Sequence, residues 1–113
     1  MSFEVIPLRP FERQLKRLVK KYPSLKVDIT DLVARLETDP SQGTRIGQGC
    51  WKIRLSIGSK GGGKSGGSRV ITHVRVTSKR VFLLSIYDKS EQETLTDKEL
   101  KSLLALIPSE RLR

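Results

Sequence analysis

Nine side chains in the middle of this chain could act together on a phosphate group. Lys52 and Arg54 alternate along CWKIRLSI, Arg69, His73 and Arg75 along SRVITHVR, and Tyr87 and Lys89 close VFLLSIYDK; Lys60 and Lys64 lie between the first two runs. Residues two apart on a strand share a face, so parity gathers Lys52, Arg54, Arg69, His73, Arg75, Tyr87 and Lys89 on one side of a sheet. A guanidinium can hold a phosphate bidentately, and fixed cations oppose the negative charge that develops in a phosphoryl transition state. A solvated strand face also alternates lysine and arginine. Here the bases lack matching acids: residues 52–89 carry nine bases and a single acid. That imbalance favours a surface for a polyanion such as nucleic acid, or an acidic protein.

Two other chemistries are suggested by pattern and fail on context. Residues 58–65, GSKGGGKS, match the phosphate-binding G-x-x-x-x-G-K-[ST] loop and follow a strand-like run. Such a loop needs a helix next, whose N-terminal amides face the phosphates. Two more glycines and then the β-branched run SRVITHV follow instead. Six of the ten residues 58–67 are glycine, so a chance match is easy, and the stretch reads as a mobile cationic flap joining a hairpin. His73 is the only histidine and Cys50 the only cysteine. No Ser-His-Asp set can be assembled, and ligands are too few for a metal site. His73 reads as a surface or packing residue, Cys50 as packing at a strand start, and Trp51 as core-facing by parity.

The elements that must position these groups are legible from periodicity. FEVI (residues 3–6) suits a short first strand ended by Pro7. From Pro10, Phe11, Leu15, Leu18, Val19 and Tyr22 recur at helical spacing, opposite Arg13, Lys16, Arg17, Lys20 and Lys21. That basic face is equally a solvated helix face or a second nucleic-acid contact. Pro23 stops this helix, and Ser24 is a natural N-cap for a second carrying Leu25, Ile29, Leu32, Val33 and Leu36. Residues 41–49, SQGTRIGQG, read as loop. Three alternating runs then predict an antiparallel meander with a turn at Ser78-Lys79. Thr96-x-x-Glu99 is a capping box opening a last helix with Leu100, Leu103, Leu104 and Ile107. The expected order is β-α-α-β-β-β-α: an α+β domain with a helical hairpin and C-terminal helix on the apolar face of an antiparallel sheet, and a polar, basic opposite face.

The 113 residues suit one domain, 1–113, with 36% hydrophobic and 30% charged residues. Net charge is +10, concentrated in residues 9–26 (+6) and 52–89 (+8). No apolar run approaches the ~20 residues of a membrane span. The N-terminus lacks a signal-peptide hydrophobic region, since Glu4, Pro7 and Arg9 interrupt it. One cysteine excludes an internal disulfide, and the expected location is cytoplasmic.

Taken together, FERQLKRLVKKYPSLKVDITDLVARL, GQGCWKIRL, KGGGKSGGSRVITHV and LLSIYDKSEQETLTDKELKSLL resemble the RelE/ParE toxin superfamily of type II toxin–antitoxin modules, within it the RelE/HigB-like branch. The resemblance covers nearly the whole chain, and K-S-G-G-x-R-V-I followed by Y-D-K-S-E is its most specific part. It implies a compact fold similar to microbial ribonucleases. It implies a ribosome-dependent endoribonuclease that cuts mRNA without metal or other cofactor and is neutralised by a cognate antitoxin. On this pattern Lys52 and Arg54 match the basic positions of the first core strand, Arg69 the arginine opening the next, and Lys89 the basic position after the last. RelE-like enzymes often carry a catalytic tyrosine near the C-terminus. The C-terminal helix here has none, which leaves Tyr87 as the candidate. Lys60, Lys64, Arg75, Lys20 and Lys21 are the expected RNA or ribosome contacts. The alternatives are a ParE-like DNA gyrase inhibitor and a non-catalytic RNA- or antitoxin-binding module.

Overall fold

The computed structural model describes residues 2–58 and 67–108. The chain runs β1 (Glu4–Pro7), α1 (Arg9–Lys21), α2 (Leu25–Thr38), β2 (Thr44–Gly47), β3 (Cys50–Leu55), β4 (Ser68–Arg75), β5 (Arg80–Asp88), α3 (Asp97–Leu104). The strands form one five-stranded sheet in the order β1-β5-β4-β3-β2. This is the α+β arrangement expected, with three helices on a sheet whose centre is the β3-β4-β5 meander.

Pro10 sits in the first turn of α1, where no backbone N–H is needed, and the Tyr22 N–H closes the helix on the Leu18 carbonyl. Pro23 cannot continue it. α2 begins at once, so the two stripes form one apolar wedge. Phe11, Leu18, Leu25, Leu32 and Leu36 are almost fully buried against Ile53, Leu55, Val70, Val81, Leu83 and Ile86 of the sheet and Ile57 just beyond β3. Each such side chain contributes ~1.5–3 kcal/mol by leaving water. Ser24 occupies the N-cap of α2 but is itself helical (φ −66°, ψ −18°), and its hydroxyl makes no capping bond to the helix. Thr96 and Glu99 do form the capping box of α3, at 3.1 and 2.9 Å.

Four features depart from the sequence reading. The stretch read as loop contains β2, an edge strand pairing antiparallel with β3 (Thr44 opposite Lys52, Arg45 opposite Trp51). Every β2 residue is exposed, so no burial alternation marked it. The sheet is mixed rather than wholly antiparallel: β1 runs parallel to β5, with Glu4 opposite Arg80 and their side chains 3.4 Å apart. A bulge interrupts the β4–β5 register, with Ile71 opposite Ser85 but Thr72 opposite Leu83. It shifts the parity of β5, so that Val81, Leu83 and Ile86 face the helical hairpin while Phe82, Leu84 and Tyr87 face the other way.

Finally, the helices do not share one face. α3 and the residues after it lie across the opposite side, where Leu100 and Ile107 join Leu8, Cys50, Ile71, Phe82, Leu84 and Tyr87 in a second core. The face expected to be polar and basic is therefore apolar and covered in its middle. Its cations are separated into two groups.

Candidate functional site

At one end of that face, three side chains form a single cross-strand row. Arg54 on β3 is directly opposite Arg69 on β4, and Arg69 is directly opposite Tyr87 on β5. Opposed side chains in such a ladder stand ~5 Å apart at Cβ. Lys52 lies two residues from Arg54 on the same side of β3. Arg69 and Tyr87 are each only 4% exposed and make the floor; Arg54 is exposed and Lys52 half-buried. Neither Lys52 nor Arg54 has an ion-pair partner among the described residues.

Like charges directly opposite each other in a sheet repel, so the fold tolerates the Arg54–Arg69 pair at a cost that a bound anion would remove. The Arg69 Nη1 donates to the Ser68 carbonyl at 3.1 Å, which helps hold the guanidinium down in the floor. The Tyr87 hydroxyl is buried without a well-formed hydrogen bond among the described residues. Burial raises its pKa above the ordinary 10.0; nearby Arg69 and Thr94 oppose that shift without reversing it. Tyr87 is thus a neutral phenol near pH 7, a donor and not a base.

Lys89 follows β5 and is exposed; its backbone N–H donates to the Gly67 carbonyl at 3.1 Å, at the entry to β4. The turn carrying Lys89 is organised by Asp88, a fully buried carboxylate. Its Oδ2 accepts from the Tyr22 hydroxyl at 3.0 Å, and its Oδ1 from the Ser90 N–H and hydroxyl at 3.0 and 2.8 Å. Glu91 continues the tether, 3.5 Å from Arg17 and 3.8 Å from Lys21. Asp88, Tyr22 and Glu91 were not anticipated as supports of the site. The only sequence signal for them was Asp88 and Glu91 flanking Lys89 in YDKSE, and nothing local pointed to Tyr22, which is 66 residues away.

The remaining expected residues are placed elsewhere. His73 sits four residues along β4 from Arg69, ~13 Å away. It packs beside Cys50, with Sγ and Nδ1 3.6 Å apart, and the Arg75 Nε lies 3.4 Å from its Nε2. Cys50 is buried and its thiol is pushed up to about 11, so it is no nucleophile near neutrality. Arg75 lies ~20 Å from Arg69 along the strand, its guanidinium 5.8 Å from the Phe82 ring centre. It does not join the row. Lys21 is spoken for by Glu91 and by the Tyr22 ring at 5.3 Å, and Lys20 lines a groove between α1 and α2. Lys60 and Lys64 fall outside the described residues. Trp51 is half-buried beneath the Arg45 guanidinium, 5.8 Å from the ring, rather than in either core.

Comparison with known proteins adds to this geometry. Residues 11–109 match the family described as RelE toxin of the RelE/RelB toxin–antitoxin system. The fold is similar to that of the E. coli toxin RelE in the free state, solved as a double arginine-to-alanine mutant. That likeness has a TM-score of 0.57 at 20% identity and covers 82% of this chain and 90% of that one. It is also similar to the isolated E. coli RelE toxin, with a TM-score of 0.56 at 16% identity, over 94% of this chain and all of the other. At these identities the likeness to the solved structures is one of fold.

Proposed function

The chain belongs to the RelE toxin family, and on that premise we propose that it is a ribosome-dependent mRNA endoribonuclease of the cytoplasm, held inactive by a cognate antitoxin. The observation that carries this reading is the Arg54–Arg69–Tyr87 row with Lys52 beside it. A sheet surface that sets two guanidiniums and a phenol side by side suits a bent phosphodiester.

The reaction is attack of a ribose 2′-hydroxyl on the adjacent phosphorus: the bond from the 2′-oxygen to phosphorus forms as the bond to the 5′-oxygen breaks, the hydroxyl proton passes to water, and the departing 5′-oxygen takes a proton from water. Arg54 and Arg69 bind the non-bridging oxygens and neutralise the dianionic transition state. The Lys52 ammonium lowers the effective pKa of the attacking hydroxyl by stabilising its conjugate base. Tyr87, kept protonated by burial, donates a hydrogen bond to a phosphoryl oxygen from the floor. Lys89 stands on the far side of the row and offsets charge on the leaving oxygen. Binding across the ribosome supplies orientation, which by itself contributes a large part of such a rate.

The test is a translating extract in which message cleavage is mapped while DNA supercoiling by gyrase is followed in parallel. The proposal expects cut message and unimpeded supercoiling. Intact message with blocked supercoiling would assign the chain to gyrase inhibition. Loss of neither activity would leave a binding module without catalysis.

A further inference from the structure

Lys89 is exposed just past the last residue of β5, and its ammonium has no ion-pair partner among the described residues. A lysine is a point charge on a flexible stem, so its use to a reaction depends on how firmly its backbone is held. Alternation sets the geometry. Tyr87 faces the row, Asp88 faces the helical hairpin, and Lys89 returns to the side of Tyr87, ~7 Å further on. Pairing with β4 continues to this point: Asp88 lies opposite Ser68, and the Lys89 N–H donates to the Gly67 carbonyl at 3.1 Å.

The residues on either side of Lys89 are fixed from the opposite face. Asp88 is a fully buried carboxylate, and burying that charge is costly; an aliphatic side chain would fill the space without the cost. What the carboxylate adds is direction. Oδ2 accepts from the hydroxyl of Tyr22, the C-cap of α1, at 3.0 Å. Oδ1 accepts from the Ser90 N–H and hydroxyl at 3.0 and 2.8 Å. The Asp88 carbonyl accepts from the Glu91 and Gln92 N–H groups at 3.0 and 3.1 Å. The ion pairs of Glu91 with Arg17 and Lys21 are exposed and add little. Tyr22 packs with the helix-side core and Tyr87 with the core on the other face. The sheet therefore separates the Tyr22 hydroxyl from the row, and it can act there only through Asp88.

We propose that Tyr22 and Asp88 are positioning residues for RNA cleavage, which set the Lys89 ammonium at the departing 5′-oxygen. Charge develops on that oxygen only in the transition state, so their contribution falls on the rate and not on RNA binding. A displacement of ~1 Å at a reacting atom can cost up to ~100-fold in rate, even when its origin is remote. The inference rests on the endoribonuclease reading, and its test separates the two.

Single-turnover cleavage of ribosome-bound message is measured for wild type, Tyr22→Phe, Lys89→Ala and the double variant, with rate and half-saturation taken separately. Tyr22→Phe keeps the ring in its core and removes only the hydroxyl. Its rate is expected to fall ~10-fold or more at unchanged half-saturation, and the double variant to fall no further than Lys89→Ala. General loosening of the fold would instead multiply with Lys89→Ala, because independent effects add in free energy. Multiplying losses, an unchanged rate in Tyr22→Phe, or a change confined to half-saturation overturns the positioning role. A second arm follows amide exchange in the free proteins. The Lys89 N–H is expected to exchange ~10-fold or more faster in Tyr22→Phe, with the amides shared by β3 and β4 unchanged; equal exchange at Lys89 overturns the inference. If wild type cuts no RNA, the endoribonuclease reading fails, and the exchange arm alone decides whether Tyr22 and Asp88 hold the turn.

Discussion

In the proposed reaction Tyr87 separates stability from activity within one side chain. Its ring fills the second core between Phe82, Leu84 and Leu100, while its hydroxyl is buried without a good partner. An unsatisfied buried hydroxyl is unfavourable by ~1–3 kcal/mol. Tyr87→Phe is therefore expected to raise the urea midpoint and to lower the cleavage rate ~10-fold or more, the scale of a lost transition-state donor. A phenylalanine variant that is less stable, or fully active, removes Tyr87 from the proposed chemistry. Thr72→Val, which deletes the other buried unpartnered hydroxyl away from the row, should stabilise without touching cleavage. Cys50 gives a pH signature. Its folded pKa is raised from the ordinary 9.0 to about 11, so between those values the native state holds more proton than the unfolded chain. Stability from this group is complete below pH 9 and is lost as pH rises toward 11. Denaturation midpoints across that range should fall less in Cys50→Ala than in wild type. Residue types and parity on β3 and β4 were enough to select Lys52, Arg54 and Arg69. They also selected His73 and Arg75, because parity records which side a residue faces and not how far along the strand it lies.

The elements bring the row together through one close approach. A side chain at Gly67 would collide with the carbonyl oxygen of Leu55, so β3 and β4 meet here only over a glycine. Gly67→Ala is expected to lower unfolding free energy by roughly 1–3 kcal/mol, as overpacking does, and to separate Arg54 from Arg69. Calorimetry and cleavage should therefore fail together in this variant, whereas Tyr87→Phe dissociates them. Helices α1 and α2 and strands β3 to β5 were legible in sequence because each buries a periodic stripe. Three things were not. β2 buries nothing, and so carries no stripe. The bulge after Ile71 is a register decision between two strands that neither sequence states alone. The parallel docking of β1 on β5 joins segments more than seventy residues apart. The bulge also shapes the face that α3 covers: Phe82 and Leu84 share one parity, and Tyr87 joins them only because β5 changes parity beyond Leu84.

Across the whole molecule, charge is arranged against this scaffold rather than spread over it. The net charge of +10 places most bases in residues 9–26 and 52–89, and the row together with Lys52 and Lys89 collects four of them at one end of the sheet. Four cations engaged with single-stranded RNA imply a slope near −3 in the logarithm of affinity against the logarithm of salt. Binding of a short RNA should thus weaken ~50-fold between 50 and 200 mM salt, and the slope should become shallower by about 0.7 in Arg54→Ala. A salt-independent affinity would mean that the row does not meet phosphate. Among the described residues no helix is long and apolar enough to cross a membrane. The family, the α+β class and the order of the elements other than β2 could be read from sequence, because they rest on long periodic segments and a distinctive pair of motifs. The support given by Tyr22 and Asp88 could not, because it is created by folding.

The central claim is that the exposed member of the row stabilises a transition state. Its most direct test is single-turnover cleavage of a defined ribosome-bound message by wild type and Arg54→Ala, with rate and half-saturation measured separately. Arg54 is solvent-exposed on β3, so its removal should leave the fold intact. The account predicts a rate lower by ~100-fold or more with little change in half-saturation. Unchanged rate with weakened binding would contradict it, and would reduce the row to a docking surface.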